Sequence, residues 1–342
     1  MSPLSRASIA LTQMPVRSLM VAPLTLSEIR EAASALQGKI LRTPVHALDT
    51  PEVRERLGST HAVLKLELLQ VTGTFKARGA LLNLMALTAE QRMRGVTAIS
   101  AGNHAIAVAF AAAKLGVSAR LVMIATANPL RVELCRAFGA EIIFAANAHE
   151  GFDRVKEIER DEGRTLIHPF EGRTTVLGTS TVGLELIEQC SDLDAVIVPI
   201  GGGGLCAGIA SAVKLLSPRC QIFGVEPEGA DSMHRSFAAG EPRSIEKVAT
   251  IADSLGAPYA LPISFEFCRR NVDGLVLVSD DELRAAMRFL LRNAKLAVEP
   301  AGAAATAALL GPLAAQLHGK RVGVIVCGSN IDAASYAKLI AA

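Results

Sequence analysis

Lys76 is the residue whose surroundings most invite chemistry. It lies in Gly73-Thr74-Phe75-Lys76-Ala77-Arg78-Gly79-Ala80, a stretch with no other charge before it, at what reads as the start of a helix. A lysine placed there can be buried and give up its proton readily, the condition for Schiff-base chemistry with a carbonyl compound. Read locally, it could equally be a surface lysine at a helix start. Three turns supply further groups. Gly201-Gly202-Gly203-Gly204-Leu205 stands between a predicted strand and a predicted helix. Four successive glycines are costly unless backbone must approach something closely or adopt positive φ. Their free N–H groups at a helix N-terminus suit one phosphate; the plainer reading is a tight turn. No Lys-Ser/Thr follows, which excludes a Walker loop, and Glu226 is the only acid roughly where a dinucleotide site would want one. Ser100-Ala101-Gly102-Asn103-His104 could hold a carboxylate on amides while Asn103 touches a ring hydroxyl, or could be an ordinary Asn/His turn. Cys327, in Val326-Cys327-Gly328-Ser329-Asn330, ends a strand, where a cysteine is usually a small apolar filler.

These turns need a frame of alternating strands and helices. Thr25-Leu26-Ser27-Glu28 has capping-box spacing and predicts a helix over 25–37. Strands are predicted at 96–100, 121–124, 141–144, 194–200, 221–226, 275–278 and 322–327. Helices are predicted at 104–115, 130–138, 205–216, 280–294, 302–310 and 332–340. Polar stretches near 145–151 and 227–250 read as interruptions. The alternation predicts an α/β fold with mostly parallel sheets and helices on both faces, with ligands beyond the carboxyl ends of the strands.

Composition narrows the partners. The 342 residues are 50% hydrophobic, 20% charged and 4% aromatic, with no Trp, so Ala, Leu, Val and Ile must build the core. A net charge of +2 argues against nucleic acid or an anionic membrane surface as partner, and no apolar run reaches a membrane span. Six scattered cysteines without a CxxC pair point to reduced thiols in a cytoplasm rather than a disulfide or zinc framework. Residues 1–24 read as an N-terminal extension; their Ser and Arg content without acids also admits a targeting segment.

Taken in order, Lys65-Leu66-Glu67, Gly73-Thr74-Phe75-Lys76-Ala77-Arg78-Gly79-Ala80, Ser100-Ala101-Gly102-Asn103-His104-Ala105, the tetraglycine turn, Val225-Glu226-Pro227, Glu299-Pro300-Ala301-Gly302 and Gly328-Ser329-Asn330 resemble the serine/threonine dehydratase group of fold-type II pyridoxal-phosphate enzymes. The resemblance spans about residues 26–335. It implies a tryptophan-synthase-β-like fold of two doubly wound domains with pyridoxal 5′-phosphate in the cleft. The small domain would cover 88–168, and the large one 25–87 with 169–342. Lys76 would carry the cofactor and remove the α-proton, with Phe75 beside the ring. Asn103 would meet the ring hydroxyl, Gly201, Gly202, Gly203, Gly204 and Leu205 the phosphate, and Cys327 the pyridine nitrogen. Ser100, Ala101, Gly102, Asn103 and His104 would receive the substrate. The implied reaction turns a small β-hydroxy amino acid into a 2-oxo acid and ammonia, in a cytoplasmic homodimer.

Departures from the group's pattern widen the choice of substrate. Ala101 stands where the racemase carries a serine, so racemisation should be poor. Ile106 replaces the usual Gln, and Gly178-Thr179-Ser180-Thr181 the usual Gly-Gln-Gly-Thr. Threonine itself is thereby put in question, and larger or differently charged substrates enter, among them 3-hydroxyaspartate and hydroxyectoine-derived compounds. At the group's cation site the matching positions are Glu226, Ala230 and Ser232, one carboxylate short. That predicts at most weak divalent dependence and leaves room for a monovalent ion; Glu226 could instead simply cap a turn. A β-replacement enzyme and a nucleotide-dependent oxidoreductase are the competing readings.

Overall fold

The computed structural model describes residues 21–342 apart from Ala101. The predicted extension therefore lies almost wholly outside the described residues. Among the described residues ten strands form two sheets. Val45–Ala47 (β1), His61–Lys65 (β2), Ala195–Pro199 (β7), Gln221–Pro227 (β8), Gly274–Val278 (β9) and Arg321–Ile325 (β10) make the larger, in the order β1-β2-β10-β7-β8-β9. Val96–Ile99 (β3), Ala119–Ile124 (β4), Glu141–Ala145 (β5) and Thr165–Leu166 (β6) make the smaller, in the order β5-β4-β3-β6. Every pairing is parallel except β1 with β2. β7 reads Ala-Val-Ile-Val-Pro and is buried at every position. That continuous apolar run is what a parallel strand covered on both faces requires.

Each sheet has its own core. The larger is built on β7, β8 and β10 with the helices Gly204–Leu216 and Pro300–Leu310, and the smaller on β3 and β4 with Asn103–Leu115 and Lys76–Met85. With so few aromatics, density comes from small residues that let helices approach. A Cβ on Gly178, in the helix Arg173–Gln189, would lie 2.6 Å from Gly79 Cα. The helix bearing Lys76 thus rests backbone to backbone on its neighbour. The same helix contains the altered Gly178–Thr181 segment; Thr179 Oγ1 donates to Gly204 O at 2.7 Å, beneath the glycine-rich turn.

Each predicted interruption contains helix: the first runs into the start of one, and the second holds a short one. Ala148–Glu162 starts at Asn147, whose side chain accepts the Glu150 N–H, and covers β4 and β5 with Val155 and Ile158. Its remaining surface is polar, so its sequence resembles a loop. Ser232–Ala239 lies within the second interruption.

Candidate active site

Lys76, the first residue of the helix Lys76–Met85, turns its side chain into a cavity of about 300 Å³ between the two sheets. Its Nζ donates to Pro169 O at 2.6 Å and stands 5.1 Å from the Phe75 ring centroid. Burial pulls the ammonium down to about 8, although Glu299 nearby favours the charge. Near neutral pH a usable fraction of neutral amine is therefore present, as nucleophilic and general-base chemistry demand.

Phe75, Lys76, Ser100, Gly102, Asn103, His104, Gly201, Gly202, Gly203, Gly204, Leu205 and Cys327 all line this one cavity. Of the site residues expected from sequence, Ala101 lies outside the described residues. Asn103 opens the helix Asn103–Leu115; its Nδ2 donates to Glu299 Oε1 at 2.6 Å and to Ser254 Oγ at 3.1 Å, and its Oδ1 accepts from Asn330 at 2.8 Å. Ser100 Oγ accepts the Gly102 N–H at 3.1 Å. His104 is pushed down to about 3, mainly by burial, so it is neutral; its Nε2 lies 2.7 Å from Ile167 O and carries the proton. Gly203 has φ +93°, a conformation natural to glycine. A Cβ on Gly204 would meet Phe170 O at 2.5 Å. The Cys327 thiol donates to Ala301 O at 3.3 Å, and burial drives its pKa well upward, so it stays protonated.

Sequence reasoning gave no role to several wall residues. Arg131, in the helix Pro129–Ala137, is buried; its Nε donates to Asn330 O at 2.9 Å and its Nη1 to Asp253 Oδ2 at 2.5 Å. Its Nη2 reaches Asp253 Oδ1 at 3.3 Å and Glu299 Oε2 at 3.4 Å. Burial raises the Glu299 carboxyl to about 7, against the pull of Arg131. His168 is also neutral, held at about 4 mainly by burial, and its Nδ1 accepts the N–H groups of Phe170 and Glu171 at 3.3 and 3.0 Å. Glu299-Pro300-Ala301-Gly302 was visible as a motif, but nothing local tied its carboxylate to Asn103, 196 positions away.

Glu226 and Ala230 lie away from this wall. The Glu226 carboxylate accepts the N–H groups of Met233 and His234 at 2.8 and 2.7 Å and so caps the helix Ser232–Ala239. Burial raises it to about 8. Among the described residues no cluster of three or more His, Cys, Asp or Glu is arranged to hold a metal ion. Glu226, the acid at the position matched to the cation site, thus has both oxygens engaged by backbone donors.

A reactive amine, a glycine-rich anion cradle and a neutral thiol around one cavity fit an aldehyde that carries a phosphate and a ring nitrogen. The family model described as "Pyridoxal-phosphate dependent enzyme" matches residues 36–328. The chain belongs to the pyridoxal-phosphate dependent enzyme family. Its cofactor is pyridoxal phosphate, and the chain is a carbon–nitrogen lyase of fold type II, α/β with mostly parallel sheets, as expected. It is 58% identical to phenylserine dehydratase of Ralstonia pickettii over 313 residues, 92% of this chain and 95% of that one. It is 38% identical to L-threo-3-hydroxyaspartate ammonia-lyase of a Pseudomonas species, over 92% of this chain and 97% of that one. The structure of maize serine racemase superposes with a TM-score of 0.87 at 35% identity, covering 93% of this chain and 97% of that one. Membership removes the nucleotide-dependent oxidoreductase from consideration. Among the described residues no helix is long and apolar enough to cross a membrane.

Proposed function

We propose that this family member is an ammonia-lyase that eliminates water and ammonia from a β-hydroxy amino acid whose β-substituent is apolar and aryl-like. The observation that carries the reading is the Lys76 amine, lowered to about 8 inside a cavity whose wall also holds Phe152, Phe170 and Tyr259. The name of the 58% identical relative, a phenylserine dehydratase, agrees with it.

In this reading the amides of Gly201 to Leu205 hold the cofactor phosphate, Asn103 meets the ring hydroxyl, and Cys327 faces the pyridine nitrogen. When bound, the cofactor supplies an electron sink that makes the α-proton of an amino acid removable. Cys327 offers only a thiol, so the ring nitrogen gains no proton from it and the sink stays moderate. A moderate sink favours prompt loss of the β-hydroxyl over transamination. Ser100, Gly102, Asn103 and His104 receive the α-carboxylate at a helix N-terminus, with Ala101 assigned there by resemblance. Lys76 takes the α-proton, the hydroxyl leaves as water, and the released enamine hydrolyses to a 2-oxo acid and ammonia. The segment 88–168 is taken as the small domain, which closes over substrate and excludes water.

The same proposal includes a cytoplasmic homodimer. Six unpaired cysteines agree with a reducing compartment. Exposed Leu41, Leu69 and Val71, gathered by Gln70 bonding both ways to the Leu41 backbone, form an apolar patch that agrees with self-association.

The test is release of 2-oxo acid and ammonia by cofactor-loaded protein from phenylserine, threonine, serine and 3-hydroxyaspartate. Phenylserine is expected to lead, and Lys76→Ala to lose both turnover and the visible absorbance of the bound cofactor. Turnover retained in Lys76→Ala would sink the reading.

A further inference from the structure

The cavity must hold more than the reacting carbon, and its wall is chemically uneven. Among the described residues the charged side chains on it are Lys76, Arg131, Asp253 and Glu299, while His104 and His168 are neutral. In the elimination reading, on which this inference rests, Lys76 is committed to the cofactor and then to the α-proton, so it serves the reacting carbon and not the substrate's side chain. Arg131 is then the one cation on the described wall available to a substrate side chain. It sits within reach: a Cβ on Gly102 would come 2.7 Å from Arg131 Nη1, so the guanidinium lies against the turn assigned to the α-carboxylate.

Arg131 is nevertheless already engaged. Asp253 takes Nη1 and Nη2, Glu299 takes Nη2, and Asn330 O takes Nε. A second substrate carboxylate would meet a guanidinium with four of its five N–H groups engaged, its Nη1–Nη2 fork held by Asp253, and two carboxylates beside it. Like charges brought together beside one guanidinium repel, and such repulsion is a common source of specificity. Beside uncharged polar groups such as Ser100, Asn103 and Ser254, the wall carries a broad apolar surface with Ile99, Ile124, Phe152, Leu255, Phe170 and Tyr259 on it; the last two rings lie 6.1 Å apart. An uncharged ring can occupy that space without leaving a buried charge unpaired.

We propose that Asp253, by occupying the Arg131 guanidinium, sets the side-chain specificity of this enzyme: it excludes β-hydroxy amino acids with a second carboxylate and reserves the cavity for an uncharged aryl substituent. Asp253 is a positioning residue here, acting through Arg131. Its own side chain is 57% exposed, so replacing it disturbs little packing.

The experiment compares kcat and KM for phenylserine and 3-hydroxyaspartate in the loaded wild type, Asp253→Asn and Asp253→Glu. The wild type should prefer phenylserine. Asp253→Asn should raise the kcat/KM ratio of 3-hydroxyaspartate to phenylserine by about tenfold or more, chiefly through a lower KM for the diacid, because a freed Arg131 fork can pair a carboxylate. Asp253→Glu keeps the charge and should keep the discrimination. Calorimetry with oxaloacetate and phenylpyruvate on the same proteins reads the same contrast as binding. An unchanged ratio in Asp253→Asn, an equal rise in Asp253→Glu, or a wild type that takes both substrates equally would overturn the inference. If wild type turns over neither substrate, the elimination reading fails; calorimetry then still decides whether Asp253 governs binding of the second carboxylate.

Discussion

At the scale of single residues, the lysine's protonation state is the quantity on which cofactor capture turns. An ammonium cannot attack an aldehyde, and burial lowers the Lys76 ammonium from the ordinary 10.5 to about 8. With that value roughly a tenth of the lysine is neutral at pH 7, against well under a thousandth for an ordinary lysine. The neutral share grows as pH rises through about 8 and then levels. The rate at which apo-protein acquires the visible absorbance of the bound cofactor should therefore climb with pH and flatten with a midpoint near 8. A rate still climbing where ordinary lysines titrate would contradict a lysine lowered by burial.

At the scale of elements, four helices that start at the cavity do so without a side-chain cap. Thr25, Thr50, Thr88, Asn128, Asn147, Ser279 and Asp332 each cap their own helix with a side chain. The helices beginning at Lys76, Asn103, Gly204 and Pro300 have no side-chain cap, and all four begin in the cavity wall. A helix start without a cap presents N–H groups that need a partner, and a bound anion can be that partner. Gly203 sets the path into one of these helices at φ +93°. In Gly203→Ala the new Cβ would meet the movable end of Met233 at 2.6 Å, a side chain that can shift aside. The cost is then mostly backbone strain, roughly 1–2 kcal/mol. The variant should unfold at lower denaturant by that amount. It should also bind the cofactor about tenfold more weakly if the loop relaxes by a similar free energy. Absorbance titration beside a chemical melt measures both.

At the scale of the whole molecule, a buried charge network fixes the lysine-bearing helix. Arg78, two residues after Lys76, is fully buried and pairs with Glu67 at 2.8 Å and Glu185 at 2.7 Å; Lys65 pairs with Glu185 at 2.7 Å. Lys65 ends β2, Glu67 opens the 3-10 turn Glu67–Leu69, Arg78 lies in the helix Lys76–Met85 and Glu185 in the helix Arg173–Gln189, so two cations and two carboxylates lock four elements together. Replacing a buried ion pair by apolar groups can be neutral, whereas removing one partner strands a charge. Arg78→Met leaves both carboxylates short of a partner and should cost about 3–5 kcal/mol in chemical denaturation. A loss below about 1 kcal/mol, the scale of an exposed pair, would mean that Lys65 alone satisfies them. Across the molecule, Asn128 Nδ2 donates to Asp332 at 2.6 Å, and Arg131 reaches Asp253 and Asn330. The helix beside the small sheet is tied to the large one through the same group that bounds the cavity.

Much of this was legible along the chain, because some physics is local. The capping box at Thr25 and Glu28 forms as its spacing predicts. The runs read as strands near 194–200 and 322–327 form β7 and β10, parallel as the alternation of strands and helices implied, and the tetraglycine turn stands where a strand gives way to a helix. Lys76, Asn103 and Cys327 were marked by their motifs. Loop-like composition hid Ala148–Glu162, since a helix that buries only a narrow stripe reads as polar throughout. The Arg131–Asp253 pair, 122 positions apart, and the Asn103–Glu299 bond, 196 apart, had no local sign at all. Periodicity and turn chemistry act between near neighbours and therefore appear in sequence. A filled guanidinium, a carboxyl raised by burial and a lysine lowered by it depend on which distant groups share a desolvated space, and only the folded chain decides that.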